Sequence, residues 1–317
     1  SWTGMQAVNV GDPDGDGLAE LAVGQDMYVG FAPAIELFVF AGADVANGGV
    51  LIETDALFTV SETTGPGDVE GGKDLTGDGV QDVLIGEWSG NWVDMDGAAG
   101  YGCSGSGGYV HLVDGTVAAA GGALSTDDFT AISGGSCLSL SLAVADDIDG
   151  DGYNDIVAGD PGTLTDAGGE NAGSLYLVSG ADFADGEDVE DVAFATVSSN
   201  TASTWARTGD LGDFDHDGVP DVVLALPGSF NTYAAANGTP TPSEESTVNI
   251  FYGVDVAAGG TFTNDEREAE FYTYSTAASL GLVYAVGKVD TEDDVDDLIL
   301  GATSMGTGNI FTYRSLM

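Results

Sequence analysis

The sequence predicts an all-β fold arranged as a β-propeller of five blades, and three observations predict it. One acidic loop pattern recurs along the whole chain of 317 residues. A short apolar run follows each copy, and each period is long enough for one four-stranded sheet plus its loops. The 50 glycines and many short Val, Ile, Leu and Tyr runs, with few stretches that sustain a 3.6-residue period, argue against a helical architecture.

The first copy of the loop is Asp12-Pro13-Asp14-Gly15-Asp16-Gly17-Leu18-Ala19-Glu20. The second runs Asp74-Leu75-Thr76-Gly77-Asp78-Gly79-Val80-Gln81-Asp82, and the third Asp147-Ile148-Asp149-Gly150-Asp151-Gly152-Tyr153-Asn154-Asp155. The fourth is Asp213-Phe214-Asp215-His216-Asp217-Gly218-Val219-Pro220-Asp221. A fifth copy, Asp290 through Glu292 and Asp294 to Asp297, is one residue short against the apolar run behind it and lacks the glycine, so it reads as degenerate. Successive first aspartates lie 62, 73, 66 and 77 residues apart. The spacing divides a single domain, residues 1–317, into blades of approximately 1–64, 65–134, 135–201, 202–277 and 278–317.

Each loop is expected to join a first strand, such as Leu138 to Ala145, to a second apolar strand, such as Val83 to Gly86, Ile156 to Gly159 or Leu298 to Gly301. A third strand follows at Ile35 to Phe40, Tyr109 to Val113, Ser174 to Val178, Val248 to Tyr252 and Asn309 to Tyr313, where aromatic and β-branched residues favour extended backbone. A fourth is expected at Leu57 to Val60, Phe129 to Ile132, Val192 to Val197 and Ala269 to Tyr274. The last blade lacks this outer strand, and an unpaired edge invites another segment to pair with it, from a second subunit or from sequence ahead of Ser1.

The loop pattern suits a metal. Side-chain oxygens at positions one, three and five converge where glycines let the backbone turn tightly, position seven adds its carbonyl, and the carboxylate at position nine closes the cage. The expected ligands are therefore Asp12, Asp14, Asp16, Leu18 and Glu20; Asp74, Thr76, Asp78, Val80 and Asp82; Asp147, Asp149, Asp151, Tyr153 and Asp155; Asp213, Asp215, Asp217, Val219 and Asp221; and, in the degenerate copy, Asp290, Glu292, Asp294 and Asp297. Hard oxygen ligands in this number select Ca²⁺ over Mg²⁺, giving four sites and a degenerate fifth. EF-hands are excluded because position twelve, a bidentate Glu in that motif, is Val23, Ile85, Ala158 or Leu224 here. Thr76 replaces a carboxylate, so the second site should be the weaker.

These loops and their flanking strands resemble the FG-GAP repeat family, the calcium-binding propeller repeats of integrin α-subunits, over essentially the whole chain. The resemblance implies a loop that binds calcium between the first and second strands of each blade. The nearest approaches to the family's Gly-Ala-Pro signature are Gly159-Asp160-Pro161 and Leu226-Pro227.

Charge narrows the function. Against 53 Asp and Glu stand five Lys and Arg, a formal charge of −48, which disfavours nucleic acid and anionic membranes as partners. No run of 18 apolar residues is present, so no transmembrane segment is expected. So acidic a surface suits a saline or calcium-rich exterior, hence an extracellular or cell-surface setting. No catalytic signature occurs; Gly67 to Asp74 approaches a P-loop but has Asp74 where Ser or Thr is required. His111 and His216 pair with no evident nucleophile, and His216 takes a position that turns the chain.

The expectation is a non-enzymatic propeller for adhesion, or a structural subunit of a surface assembly or filament, engaging a protein partner or itself through the open edge. The alternative is a lectin-like module that binds glycans through Tyr28, Phe31, Trp88, Trp92, Tyr101, Phe230 and Tyr233, in loops opposite the calcium face; a polysaccharide-degrading enzyme ranks behind both. Cys103 and Cys137 fall on that same face in adjacent blades and are expected to form a disulfide.

Overall fold

The computed structural model describes residues 6–29, 32–62, 65–88, 91–92, 103–104, 107–135, 138–160, 173–200, 206–208, 210–226, 246–273, 278–288, 295–304 and 309–313. The chain is all-β, and the described residues form several sheets, none closed on itself, with a few short helical turns. Among the described residues, twenty-two strands follow the five sequence periods, each period here called a module.

Module one holds β1 (Gln6–Asn9), β2 (Leu21–Val29), β3 (Ala32–Phe40) and β4 (Phe58–Glu62). Module two holds β5 (Gly65–Lys73), β6 (Asp82–Trp88), a small ribbon of β7 (Asn91–Trp92) and β8 (Cys103–Ser104), then β9 (Gly108–Val113), β10 (Gly122–Leu124) and β11 (Thr130–Gly134). Module three has β12 (Ser141–Ala145), β13 (Asp155–Asp160), β14 (Ser174–Ser179) and β15 (Ala195–Ser198). Module four has β16 (Val222–Leu226), β17 (Ser246–Phe251), β18 (Gly260–Thr263) and β19 (Ala269–Thr273). Module five has β20 (Ala278–Gly287), β21 (Asp297–Ser304) and β22 (Asn309–Tyr313).

Within a module, successive strands pair antiparallel, as Ile156 does with Val144 on one side and Val178 on the other. Three features depart from a plain four-stranded unit. The expected strand at Val192 begins as a helical turn, Val189–Val192, because Asp188 caps it through the Glu190 N–H and Val189 is fully buried; β15 starts only at Ala195. Among the described residues, the first strand of module four is represented by the bridges Arg207 to Ala225 and Gly212 to Asp221, and the Thr208 N–H donates to Ser141 Oγ of module three at 3.0 Å.

The third departure is a fifth strand. After the third strand, modules two and four carry a helical turn, two left-handed glycines and a short strand that pairs parallel with the outer strand of the module before. Thus β10 lies on β4, with Leu124 opposite Val60, and β18 lies on β15, with Phe262 opposite Val197. Module three makes the same gesture with a single parallel bridge from Asp188 to Ser133 of β11.

The cores are shared between neighbours rather than enclosed within one sheet. Phe58 and Val60 of β4 pack with Val83, Ile85 and Val113 of module two. Leu84 and Ile132 pack with Leu142 and Ile156 of module three, Val157 and Val197 with Leu224 and Phe251 of module four, and Val223 and Ile250 with Leu298 and Leu300 of module five. Each such apolar side chain, fully buried, contributes on the order of 1.5–3 kcal/mol, so a module parted from its neighbours loses much of its stability. A cavity of about 690 Å³ is lined by Asn9, Glu70, Val144, Leu211 and Val286, one residue from each module among others.

Candidate metal centre

The four intact acidic loops share one frame. Each sits directly before the second strand of its module, with the position-nine carboxylate at or beside the start of that strand. Three of the four take left-handed backbone at two glycines, as at Gly150 (φ 80°) and Gly152 (φ 97°); in the fourth, His216 (φ 62°) stands in for the first of them. This is the turning role the sequence suggests for His216.

Position one knits the turn. Asp147 Oδ1 accepts the N–H groups of Gly150 at 2.6 Å and Asp151 at 3.0 Å, and its Oδ2 accepts that of Gly152 at 2.9 Å. Asp74 repeats all three bonds, Asp213 repeats two, and Asp12 accepts from Gly17. Position five accepts the N–H of position seven at 2.8 Å in every intact loop. Position two is an apolar anchor, with Leu75 and Ile148 buried beneath the turn.

Position nine binds the loop to the rest of its module. Asp82 Oδ2 accepts from Leu75 and Thr76 within its loop, while Oδ1 accepts from Gly115 at 2.7 Å, just beyond the third strand. Asp221 does the same with Phe214 and Gly253, and Glu20 reaches Gly42. Gly115 has no room for a side chain, since a Cβ there would lie 2.3 Å from the Gln81 carbonyl oxygen.

Hydrogen bonds leave oxygens over. Asp12 Oδ1, Glu20 Oε2, Thr76 Oγ1 and Asp155 Oδ1 are buried with no hydrogen-bond partner. These are positions one, nine, three and nine, all expected ligands. Ligand oxygens of Asp12, Asp14, Asp16 and Glu20 lie within 4.8 Å of one another, as do those of Asp147, Asp149 and Asp155 and those of Asp213, Asp215 and Asp221. These groups could hold a metal ion. In the second loop Asp74, Asp78 and Asp82 take up the same hydrogen bonds, with Thr76 at position three.

Electrostatics point the same way. Burial, with the charge of neighbouring loop carboxylates adding to it, pushes Asp155 and Asp221 up to about 7. Burial also raises Glu20, with Asp14 and Asp12 adding to it, and raises Asp82, Asp149 and Asp215. A buried anion among anions is costly unless a cation or a proton neutralises it, and a divalent cation neutralises several at once.

Position eight, which the ligand pattern leaves unassigned, links neighbouring loops. Gln81 Oε1, in the second loop, accepts the N–H of Asp12 in the first at 2.6 Å. Asn154 Nδ2, in the third, donates to the Asp74 carbonyl in the second at 2.7 Å. Asp296, ahead of β21, accepts the N–H of Asp213 at 3.1 Å. Each loop is thereby tied to the next, except that Pro220 offers no such side chain to the third. The signal was present as a polar residue immediately before position nine in three of the five copies.

Of the ligands expected in the degenerate fifth loop only Asp297 is described, buried at the start of β21; Asp290, Glu292 and Asp294 lie outside the described residues. Phe31, Tyr101, Phe230, Tyr233 and Cys137 lie outside them too, while Tyr28, Trp88, Trp92 and Cys103 fall in β2, β6, β7 and β8. His111 is buried in β9, 2.7 Å from Glu87 and stacked on Tyr109. Gly67 to Lys73 is strand with no helix behind it, which removes the P-loop reading. Among the described residues, no helix is long and apolar enough to cross a membrane.

No protein-family model matches the chain, and no curated protein matches it either.

Proposed function

We propose that the five modules form a β-propeller whose acidic loops bind Ca²⁺, and that the protein is a non-enzymatic, extracellular adhesion or structural subunit. The observation that carries this reading is the set of buried, unpartnered ligand oxygens in loops whose other oxygens are consumed in building the turn. Asp12, Asp14, Asp16 and Glu20 would hold one ion, and the matching residues of the other intact loops one each. Their donor set is oxygen throughout, which favours calcium over zinc or copper.

The propeller arrangement is supported by two features. Neighbouring modules share each core in chain order, and one cavity takes a lining residue from all five. The likeness of the loops to FG-GAP repeats agrees with both. An extracellular setting follows from the charge of −48 and from the need for free calcium high enough to fill surface loops.

Calorimetry on chelator-treated protein tests the proposal. Uptake of about four Ca²⁺ per chain, with a higher Tm in calcium than in chelator, is the expected outcome. Absence of uptake, or a Tm indifferent to the chelator, would sink it.

A further inference from the structure

Module one repeats the helical turn and paired left-handed glycines of modules two and four, at Gly42–Asn47 and then Gly48 (φ 70°) and Gly49 (φ 114°). In order, Gly49 to Leu51 match β10, Gly49 to Ile52 match β18, and the turn Glu53–Asp55 matches Thr126–Asp128 and Asn264–Glu266. Yet this segment pairs with nothing among the described residues, and Val50 is 89% and Ile52 57% exposed.

The face beside it is open as well. Leu21 and Val23 of β2 are half-buried, whereas the matching Val83 and Ile85 of β6, and Val222 and Leu224 of β16, are buried. Val45 is 37% exposed, whereas its counterparts Ala118 and Val256 are fully buried. Leu21, Val23, Phe38, Phe40, Leu51 and Ile52 line a groove of about 670 Å³. In modules two and four the corresponding space is filled by the outer strand of the module before, through Phe58 and Val60 or through Ala195 and Val197.

We infer that this groove accepts a β-strand donated by another polypeptide, with apolar side chains at alternate positions, paired parallel to Gly49–Leu51. The register copies β4 on β10: one apolar residue opposite Gly49, the next but one opposite Leu51. The donor is neutral or basic around that core, because exposed Glu53 lines the groove, exposed Asp44 and Asp55 stand close by in the chain, and the whole chain carries −48. The same charge argues against a second copy as donor. The inference deepens the assembly role proposed above but needs no metal.

The probe is a synthetic peptide carrying the sequence of residues 57–61, Leu-Phe-Thr-Val-Ser, between pairs of lysines, titrated by fluorescence anisotropy in calcium and in chelator. Saturable binding is expected, weakened about tenfold or more by Leu51→Asp and by replacing the peptide's Phe and Val with Ser. Hydrogen exchange at Val50 and Leu51 should be fast in the free protein and slow with peptide, a readout that also reports whether the variant is folded. Failure of the parent peptide to bind, or equal binding of the Ser peptide, overturns the inference. So does protection of those amides in the free monomer, which would mean that the chain covers its own groove, or protection that appears only with dimer mass, which would make a second copy the donor. Binding that survives in a protein indifferent to calcium would retain the groove and discard the metal reading.

Discussion

At the scale of single residues, the loops divide labour among chemically similar oxygens. Carboxylates at positions one, three and five each spend an oxygen on backbone N–H groups, which holds the turn, while Asp12 Oδ1, Thr76 Oγ1, Glu20 Oε2 and Asp155 Oδ1 remain for a cation. Asp155→Asn keeps the shape but halves the ligand capacity of a position-nine group, so calcium stoichiometry by calorimetry should fall by one. Thr76→Asp supplies the missing carboxylate of the second loop and should tighten that site about tenfold, or ~1.4 kcal/mol. His216 at φ 62° is backbone that a β-branched residue tolerates poorly, so His216→Val should cost about 1–2 kcal/mol in chemical denaturation, and His216→Gly little.

At the scale of elements, coupling between loops runs through position eight. Gln81→Ala removes the acceptor for the Asp12 N–H without touching a ligand, and is expected to weaken calcium at the first loop while the third keeps its affinity. Equal loss at both would point to general destabilisation instead. Position eight escaped notice in the sequence because it is Ala, Gln, Asn, Pro and Asp in turn, chemically unlike residues that share only a direction. The fifth strands escaped for a related reason. Gly121-Gly122 and Gly259-Gly260 read as turns, and the short run behind each has too few residues to signal a strand until a neighbouring sheet supplies the hydrogen bonds. The loops themselves were legible because metal ligands must recur in type and spacing, and the second and third strands because their apolar residues face cores on both sides.

At the scale of the whole molecule, repulsion among acidic groups opposes compaction. Glu70 lines the cavity between modules with Asp210, and burial, then Asp68 and Asp210, push its carboxyl up to about 8. A group whose pKa is higher folded than unfolded lends stability that is complete below the unfolded value near 4.5 and lost as pH rises through about 8. Glu70→Gln should therefore leave Tm little changed at pH 5 and raise it by a few degrees at pH 9. Thermal melts of both proteins across that range check it, and parallel profiles would assign the pH dependence elsewhere. In chelator, added NaCl should also raise Tm, since salt screens the surplus charge.

The sequence by itself determined the all-β class, the periodic loops and the residues available to ligate, because those depend on local backbone and on the repetition of chemical type. Tertiary structure alone decided which oxygens stay free, which side chains bridge one loop to the next, and that the module-one groove stands open. Those outcomes depend on what neighbouring modules place against each surface, and equivalent apolar positions are buried in one module and exposed in another according to whether a neighbour arrives.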